Sequence, residues 1–478
     1  MSQSTYDAVV VGSGPNGLAA AIHLQQAGLS VLILEAKDTP GGGMRTAALT
    51  LPGFSHDICS AVHPMAANSP FFRSLPLEEH GLEYIYPEIA AAHPFDDGTA
   101  AILTKSITDT GASLGEDEKS YQQLMRSLVN DWPEIENDVL APFRFPASPL
   151  KMAAFGARAI QPAILLAKRF RNDKSRAFFA GMAAHSILPL NQLATSAIGL
   201  VMLISAHIKG WPVPRGGSQT LADALVRYFK SIGGEIQTGV HVKSLLELPP
   251  AKAVLFDCGP KQLLEIAGKQ FSALYRGQLR RYKYGMGVFK VDWALNAPIP
   301  FTNEQCRSAG TLHLGGSFKE LVASEQSAWS GKESENPFVL LAQQSVVDTS
   351  RAPQGKHTAW AYCHVPNGSL KDMTAIIERQ VERFAPGFGD TIIARHTYNT
   401  AQMEAYNPNY IGGDINGGEF NIAQLFTRPA LRRSPYKTPA KGLYICSAST
   451  PPGGGVHGMC GFHAARQVLK DLNVANFG

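Results

Sequence analysis

At 478 residues the chain is too long for one simple core and, at roughly 100 to 200 residues per domain, holds two or three domains. Apolar residues make up 45% and charged ones only 17%, against about 25% charged in average globular usage, which excludes disorder and favours extensive buried or apolar surface. A net charge of +4 is too mild for a nucleic-acid binder of this length, so no nucleic-acid partner is expected. The opening MSQSTYDAVVVGSG has no basic region and a short apolar run, so neither a secretory nor a transit signal is expected and the cytoplasm is the default. The longest apolar stretch, Ala197 to Ile208, falls short of the roughly 20 residues of a spanning helix, which leaves only peripheral membrane contact open. The six cysteines form no CxxC pair, which speaks for idle thiols rather than a dithiol centre.

Tyr6 to Val11 is a β-rich apolar run, and Gly12-Ser13-Gly14-Pro15-Asn16-Gly17 follows at once. Leu18 to Ala27 then carries helical spacing, and Leu29 to Leu34 is a second apolar strand ending at Glu35. This order predicts a βαβ unit with a dinucleotide fingerprint in register. Gly12 makes the tight turn, Gly14 lets the backbone approach a pyrophosphate, and Gly17 lets helix and strand pack closely, with the first-turn N–H groups facing the phosphates. Glu35 stands where a ribose 2′-hydroxyl needs an acceptor and repels a 2′-phosphate, so FAD or NAD fits and NADP does not. A glycine-rich turn without ligand is the plain alternative.

After Glu35 comes Ala36-Lys37-Asp38-Thr39-Pro40-Gly41-Gly42-Gly43-Met44-Arg45-Thr46, a second glycine cluster that a plain dehydrogenase does not need. It resembles the extended fingerprint of two-dinucleotide-binding-motif flavoproteins, in which the acid is followed by Gly-Gly-Arg and then a Thr. Gly41, Gly42 and Thr46 match that pattern; Gly43 holds the family's Arg position, and Arg45 is the expected substitute at the phosphate. The resemblance adds Ala36, Lys37, Gly42, Gly43, Met44 and Arg45 to the cofactor contacts.

Further along, residues 109–138 hold eight acidic and two basic residues, whereas 144–176 hold eight basic and one acidic. The basic stretch also carries Met152, Phe155, Ile160, Ile164, Leu165, Leu166 and Phe170, which predicts basic amphipathic helices broken at Pro162. Such helices suit an anionic membrane surface; an ordinary solvated face over a core is the alternative. Ala194 to Ile208 reads as core or the lining of a substrate tunnel. Trp211-Pro-Val-Pro-Arg215-Gly216-Gly217-Ser218 precedes a helix over Thr220 to Ile232, with Ser218 as N-cap and Gly233 as stop, and Glu235 to Leu248 reads as two short strands.

The C-terminus offers a strand over Gly442 to Ala448, the turn Ser449-Thr-Pro451-Pro452-Gly453-Gly454-Gly455-Val456-His457-Gly458-Met459-Cys460-Gly461, and a helix to about Leu469. Too little chain follows Gly458 for a second complete βαβ fingerprint, so no nicotinamide domain is expected. The turn is read as feeding a helix whose N-terminus steadies the negative charge of a reduced flavin ring, with Met459 and Cys460 as backbone donors. His457 is the candidate proton carrier because it alone among His185, His207, His457 and His463 sits inside a flavin motif. Tyr410, Asp414 and Glu419 fall in a glycine-rich polar loop that either faces the pocket or simply turns. No zinc spacing, GxSxG elbow or Walker loop appears, and no metal is expected.

The Trp211 to Leu248 block resembles the internal segment of carotenoid-desaturase-like and amine-oxidase-like flavoproteins, which implies Val242 against the adenine. The last segment resembles their closing flavin motif, G-L-Y-x-x-G-x-x-x-x-P-G-G-G-V-x-G, with Ser447 in place of its first glycine. On these motifs the chain is identified as a member of the phytoene desaturase-like flavoproteins, in the branch of the pyridine nucleotide-disulfide oxidoreductase domain-containing protein 2. The resemblance implies an α/β fold: a Rossmann-like, glutathione-reductase-like FAD-binding domain from residues 1–75, 209–285 and 432–478. A discontinuous substrate domain of mixed sheet plus helical cap takes 76–208 and 286–431, the cap near 110–208. The implied cofactor is FAD, held by Gly12, Ser13, Gly14, Pro15, Asn16, Gly17, Glu35 and the second cluster, with Gly455, Val456, His457 and Met459 at the ring. The implied activity is hydride transfer from a hydrophobic, isoprenoid- or polyene-like substrate to flavin N5, desaturating or isomerising a carbon-carbon bond, with oxygen or a quinone as acceptor. An amine oxidase and a non-catalytic flavin-bound scaffold are the rival readings.

Overall fold

The run Ala8 to Val11 leaves the first strand no face for water, and the computed structural model buries it at the centre of a parallel sheet. Residues 6–474 are described; 1–5, the first of the residues read for a targeting signal, and 475–478 lie outside, so the extreme ends of the first and last segments expected to bind FAD lie outside too. Strand Tyr6–Val11, helix Pro15–Gln26 and strand Val31–Leu34 form the βαβ unit. The sheet runs in the order Leu443–Ile445, Ala251–Phe256, Tyr6–Val11, Val31–Leu34, Glu235–Gln237, with Val9 opposite both Leu32 and Val254. Side chains alternate across it. Ala8, Val10 and Ile33 pack under helices Pro15–Gln26 and Met459–Asp471, while Val9, Val11, Leu32 and Leu34 pack with Leu263, Tyr275 and Leu279 on the other side. The two helices above the sheet approach so closely that a Cβ on Gly461 would lie 1.8 Å from the Asn16 carbonyl oxygen, so only glycine fits there.

A second, mixed sheet has the order Ile392–Tyr398, Gly287–Leu295, His357–Val365, Val339–Ala342, Thr311–Leu314, Ile89–Pro94, Ala100–Thr104, antiparallel except where Thr311–Leu314 meets Ile89–Pro94. One face is apolar and is closed by helix Thr374–Phe384 through Ile377, Val381 and Phe384. Register sets out the other face in rows: His313, Leu340, Tyr362, Lys290 and Tyr398 in one, Thr311, Ala342, Trp360, Asp292 and His396 in the next. A layer of helices that includes Glu118–Val139, Asp173–Ala184 and Thr195–Ile208 packs over this face.

The basic stretch folds as helix Pro149–Ala159 and a second helical piece to Arg169, bent by 95° at a break that contains Pro162. Among the described residues no single helix is long and apolar enough to cross a membrane. Two sequence expectations need correction here. Only Glu235–Gln237 of the 235–248 segment is a strand, because the chain then hugs the preceding loop: the Gly239 N–H donates to the Lys37 carbonyl and the Val240 N–H to that of Glu35. Ser218 precedes helix Gln219–Ser231 but makes no cap bond; its hydroxyl donates to the Ser60 carbonyl and its N–H to Asp57.

Candidate functional site

The first strand ends at a turn with no room for side chains. A Cβ on Gly17 would sit 2.2 Å from the Gly12 oxygen, so the helix begins directly against the strand end. Glu35, at the tip of the next strand, accepts from the Ser13 N–H (2.9 Å), the Ser13 hydroxyl (2.5 Å), the Lys37 N–H (2.9 Å) and Arg45 Nη2 (3.1 Å). Four donors fix this carboxylate and take up its lone-pair positions, so a ribose hydroxyl would bind it by displacing the rotatable Ser13 hydroxyl. Asp257 follows strand Ala251–Phe256 and accepts from the Gly17 N–H at 2.9 Å. The sequence expectation for the helix start is therefore corrected at one position, since this N–H is turned to Asp257. Burial pushes the Asp257 carboxyl up to about 7, the negative charge of Glu35 adds to the rise, and the N–H groups of Gly17 and Gly14 oppose it.

That carboxyl lines the same cavity as the glycine turn, which gives a testable pH dependence. The folded-state value is raised, so the proton is held below about pH 7 and lost above it. A pyrophosphate at the turn meets a neutral acid at low pH and a like charge at high pH. FAD affinity is therefore expected to fall by about tenfold as pH rises through 7, equivalent to about 1.4 kcal/mol of added repulsion. Asp257→Asn should flatten the profile in a fluorescence titration of the apoprotein with FAD; an unchanged slope contradicts this assignment.

The cavity, about 700 Å³, extends from the loop around Val242, past the glycine turn and Glu35, to the mixed sheet. Of the residues proposed from sequence, Gly12, Ser13, Gly14, Pro15, Asn16, Glu35, Ala36, Lys37, Gly42, Gly43, Arg45, Val242, Gly455 and Val456 are in its wall. Gly17 lies beneath the turn, and Met44 is buried in the core beside helix Pro15–Gln26. His457 and Met459 are not in the wall: the Met459 N–H donates to His457 Nδ1 and His457 Nε2 meets the Gly453 carbonyl, so the histidine closes its own loop with both nitrogens. Neither the proton carrier nor the backbone donor expected there is available. Cys460, expected as the second backbone donor, is not in the wall either, and its thiol turns to the Thr450 and Gly453 carbonyls. The wall is formed by the turn ahead of the helix and not by the helix end.

Arg45 is engaged on the Glu35 side. Besides Glu35 it donates from Nε to the Thr39 carbonyl (2.8 Å), and its guanidinium lies over the Tyr406 ring. The glycine at position 43 also has a reason, because a Cβ there would lie 2.6 Å from the Tyr410 hydroxyl. Tyr410 occupies the space an arginine at 43 would need. Asp414 and Glu419 are not in the wall: Asp414 accepts from the Asn416 and Gly418 N–H groups of its own loop and from that of Gly285, and Glu419 accepts from Asn421. His207 bonds the Tyr121 hydroxyl and His463 the Leu140 carbonyl, and neither reaches the wall.

Other wall residues carried no local signal in the sequence. His63 bonds Ser218 Oγ at 2.8 Å, and burial pushes its imidazole down to about 4. Trp360 and Tyr362 stack at 5.6 Å on one strand, and Ile198, Val201 and Met202 face them from helix Thr195–Ile208. The acids in the wall, Glu35, Asp257 and Glu265, all come from the parallel-sheet side.

The chain matches the NAD(P)-binding Rossmann-like domain over residues 10–75. It is 24% identical to the mouse pyridine nucleotide-disulfide oxidoreductase domain-containing protein 2, covering 98% of this chain and 94% of the relative. It is 25% identical to the lycopene-forming phytoene desaturase of Pseudescherichia vulneris over 94% and 96% of the two chains. To the chloroplastic prolycopene isomerase of Arabidopsis thaliana it is 22% identical over 99% and 84%. A putrescine oxidase solved with putrescine superposes with a TM-score of 0.63 at 16% identity, covering 99% of this chain and all of the other, which speaks for the fold. The homologues of this chain thus include the phytoene desaturase-like flavoproteins, and its cofactor is FAD. The residues present fit that group: the glycine turn admits a pyrophosphate, Glu35 stands in the wall with a displaceable Ser13 hydroxyl on it, and the buried Asn16 Oδ1 in the wall has no partner among the described residues. All six cysteines are free, so the word disulfide in the relative's name has no counterpart here.

Proposed function

We propose that this chain, a homologue of the phytoene desaturase-like flavoproteins, oxidises or isomerises a carbon-carbon bond of a hydrophobic, polyene- or isoprenoid-like substrate. When bound, FAD supplies two-electron chemistry, taking a hydride at N5 and passing the electrons to oxygen or a quinone. The observation that carries the substrate class is the far end of the cavity, where Ile198, Val201, Met202, Leu340, Trp360 and Tyr362 gather with no carboxylate among them. Such a wall binds apolar area and excludes water, while an ammonium finds no counter-charge there. Gly12 to Asn16 and Glu35 would hold the pyrophosphate and ribose, Val242 the adenine, and Gly455 and Val456 the ring. In desaturation the substrate loses a hydride and a proton, so its mass falls by two hydrogens; in isomerisation the mass is constant. Incubating holoprotein with vesicle-borne polyene and a quinone, and reading mass and double-bond geometry, tests the reading. An unaltered polyene contradicts it.

Access from a lipid phase is the second part of the proposal. Phe143, Phe145 and Leu150 are 89%, 86% and 87% exposed and alternate with Arg144 and Lys151 in sequence. Apolar tips suit insertion at a membrane surface, where anionic lipid would compete with Asp138 for Arg144 and with Asp131 and Glu134 for Lys151. Holoprotein is expected to float with anionic vesicles. Phe143→Ser with Phe145→Ser should cut the lipid-bound fraction by at least about tenfold, since burying each ring contributes about 1.5–3 kcal/mol. Equal flotation of the variant rejects this docking surface.

A further inference from the structure

The apolar end of the cavity contains a polar pair that the hydride chemistry does not use. His185, at the end of helix Asp173–Ala184, lines the cavity and is partly exposed. Its Nε2 lies 2.9 Å from Nε2 of His313, which is buried on the mixed sheet in the row of Leu340 and Tyr362. Two facing nitrogens share one proton, so one ring donates and the other accepts.

His313 Nδ1 decides which. It is buried and has no hydrogen-bond partner among the described residues, and a Cβ on Gly181 would lie 3.0 Å from it. In place of that Cβ, Gly181 turns a Cα hydrogen toward Nδ1, a contact that suits a bare lone pair and not an N–H. The His313 proton is therefore on Nε2 and is donated to His185 Nε2, which leaves the His185 proton on Nδ1. Both rings are neutral: burial pushes His185 down to about 3 and His313 well below its ordinary value. Among the described residues His185 Nδ1 has no acceptor. Thr311, two residues before His313 on the same face, also lines the cavity, and its buried hydroxyl has no partner among the described residues.

We propose that His185, oriented by His313, forms with Thr311 a polar anchor in the apolar end of the cavity that takes the oxygen of an otherwise hydrocarbon substrate. The substrate is then an oxygenated isoprenoid, an alcohol or carbonyl compound, rather than a pure hydrocarbon. The Trp211 ring, its centroid 5.8 Å from that of His185 and its plane inclined at 75°, packs against the imidazole. This inference rests on the apolar-substrate reading above.

Equilibrium dialysis of FAD-loaded protein against farnesol and farnesene, matched in chain length, separates the two. Wild type is expected to bind farnesol about tenfold more tightly, the effect of one neutral hydrogen bond. In His185→Phe, which keeps a ring and loses the donor, the preference should fall to about twofold or less. His185→Gln, which restores an N–H, should recover most of it and shows that the loss is not one of folding. Equal affinities in wild type, or a preference intact in His185→Phe, overturn the anchor and leave the apolar-substrate reading standing. Binding of neither compound overturns both.

Discussion

Asp57→Ala is expected to destabilise the protein by about 3–5 kcal/mol, read as a shift of the urea midpoint. Asp57 is fully buried and accepts from Arg351 Nη2 at 2.7 Å, from the Thr46 hydroxyl at 2.7 Å and from the Ser218 N–H at 2.8 Å. These donors come from three parts of the chain: the second glycine cluster, the start of helix Gln219–Ser231, and the segment before strand His357–Val365. Truncation leaves Arg351, itself fully buried and with Nε and Nη1 already unpartnered, without its counter-charge. Burial pushes the Asp57 carboxyl up, but Arg351 and the Ser218 and Thr46 donors outweigh it and hold it below the ordinary carboxylate range. A depressed value means that this contribution is present above about pH 4 and lost as the pH falls below it. Asp57→Asn, which keeps the shape and an acceptor, should cost less than Asp57→Ala. A change under about 1 kcal/mol for the alanine variant contradicts the assignment.

The second large effect concerns the cofactor. Glu35→Ala is expected to weaken FAD binding by at least about 100-fold, since a carboxylate bond to a hydroxyl contributes about 1.5–3 kcal/mol and a ribose offers two hydroxyls. The same change removes the acceptor of the Ser13 N–H and hydroxyl and the partner of Arg45, so the glycine turn loses its support as well. Flavin content after purification and a titration of the stripped protein with FAD measure it. Retention at wild-type affinity contradicts the ribose assignment.

The second effect traces to a segment whose shape local sequence largely dictates, whereas the donors around Asp57 meet only in the folded chain. The continuous apolar run of Tyr6 to Val11, the glycines after it and the acid at 35 specify strand, turn, helix and strand, and the parallel sheet follows. The closing turn was legible in the same way, but its side chains were not. Whether the His457 nitrogens face a ligand or their own loop depends on how Gly453 and Met459 curl around it, and no spacing rule encodes that. Val242 lies in a loop because the chain after Gln237 bonds Lys37 and Glu35, a long-range pairing with no periodic signature. The far end of the cavity was the least legible part. Trp360, Tyr362, Thr311 and His313 become neighbours only through the register of three strands, and His185 meets them from a helix more than a hundred residues earlier. The reason for Gly43 was equally remote, since Tyr410 fills its space from the other side of the chain.

The central claim, that bound FAD takes hydride from a lipophilic carbon centre, is tested most directly by the visible absorption of the holoprotein without oxygen. Vesicle-borne polyenes and isoprenoids, then a panel of amines, are added anaerobically while the oxidised flavin band is followed. Bleaching by the lipophilic compounds and none by the amines is the expected result. Bleaching by an amine alone, or a band that neither set changes, contradicts it.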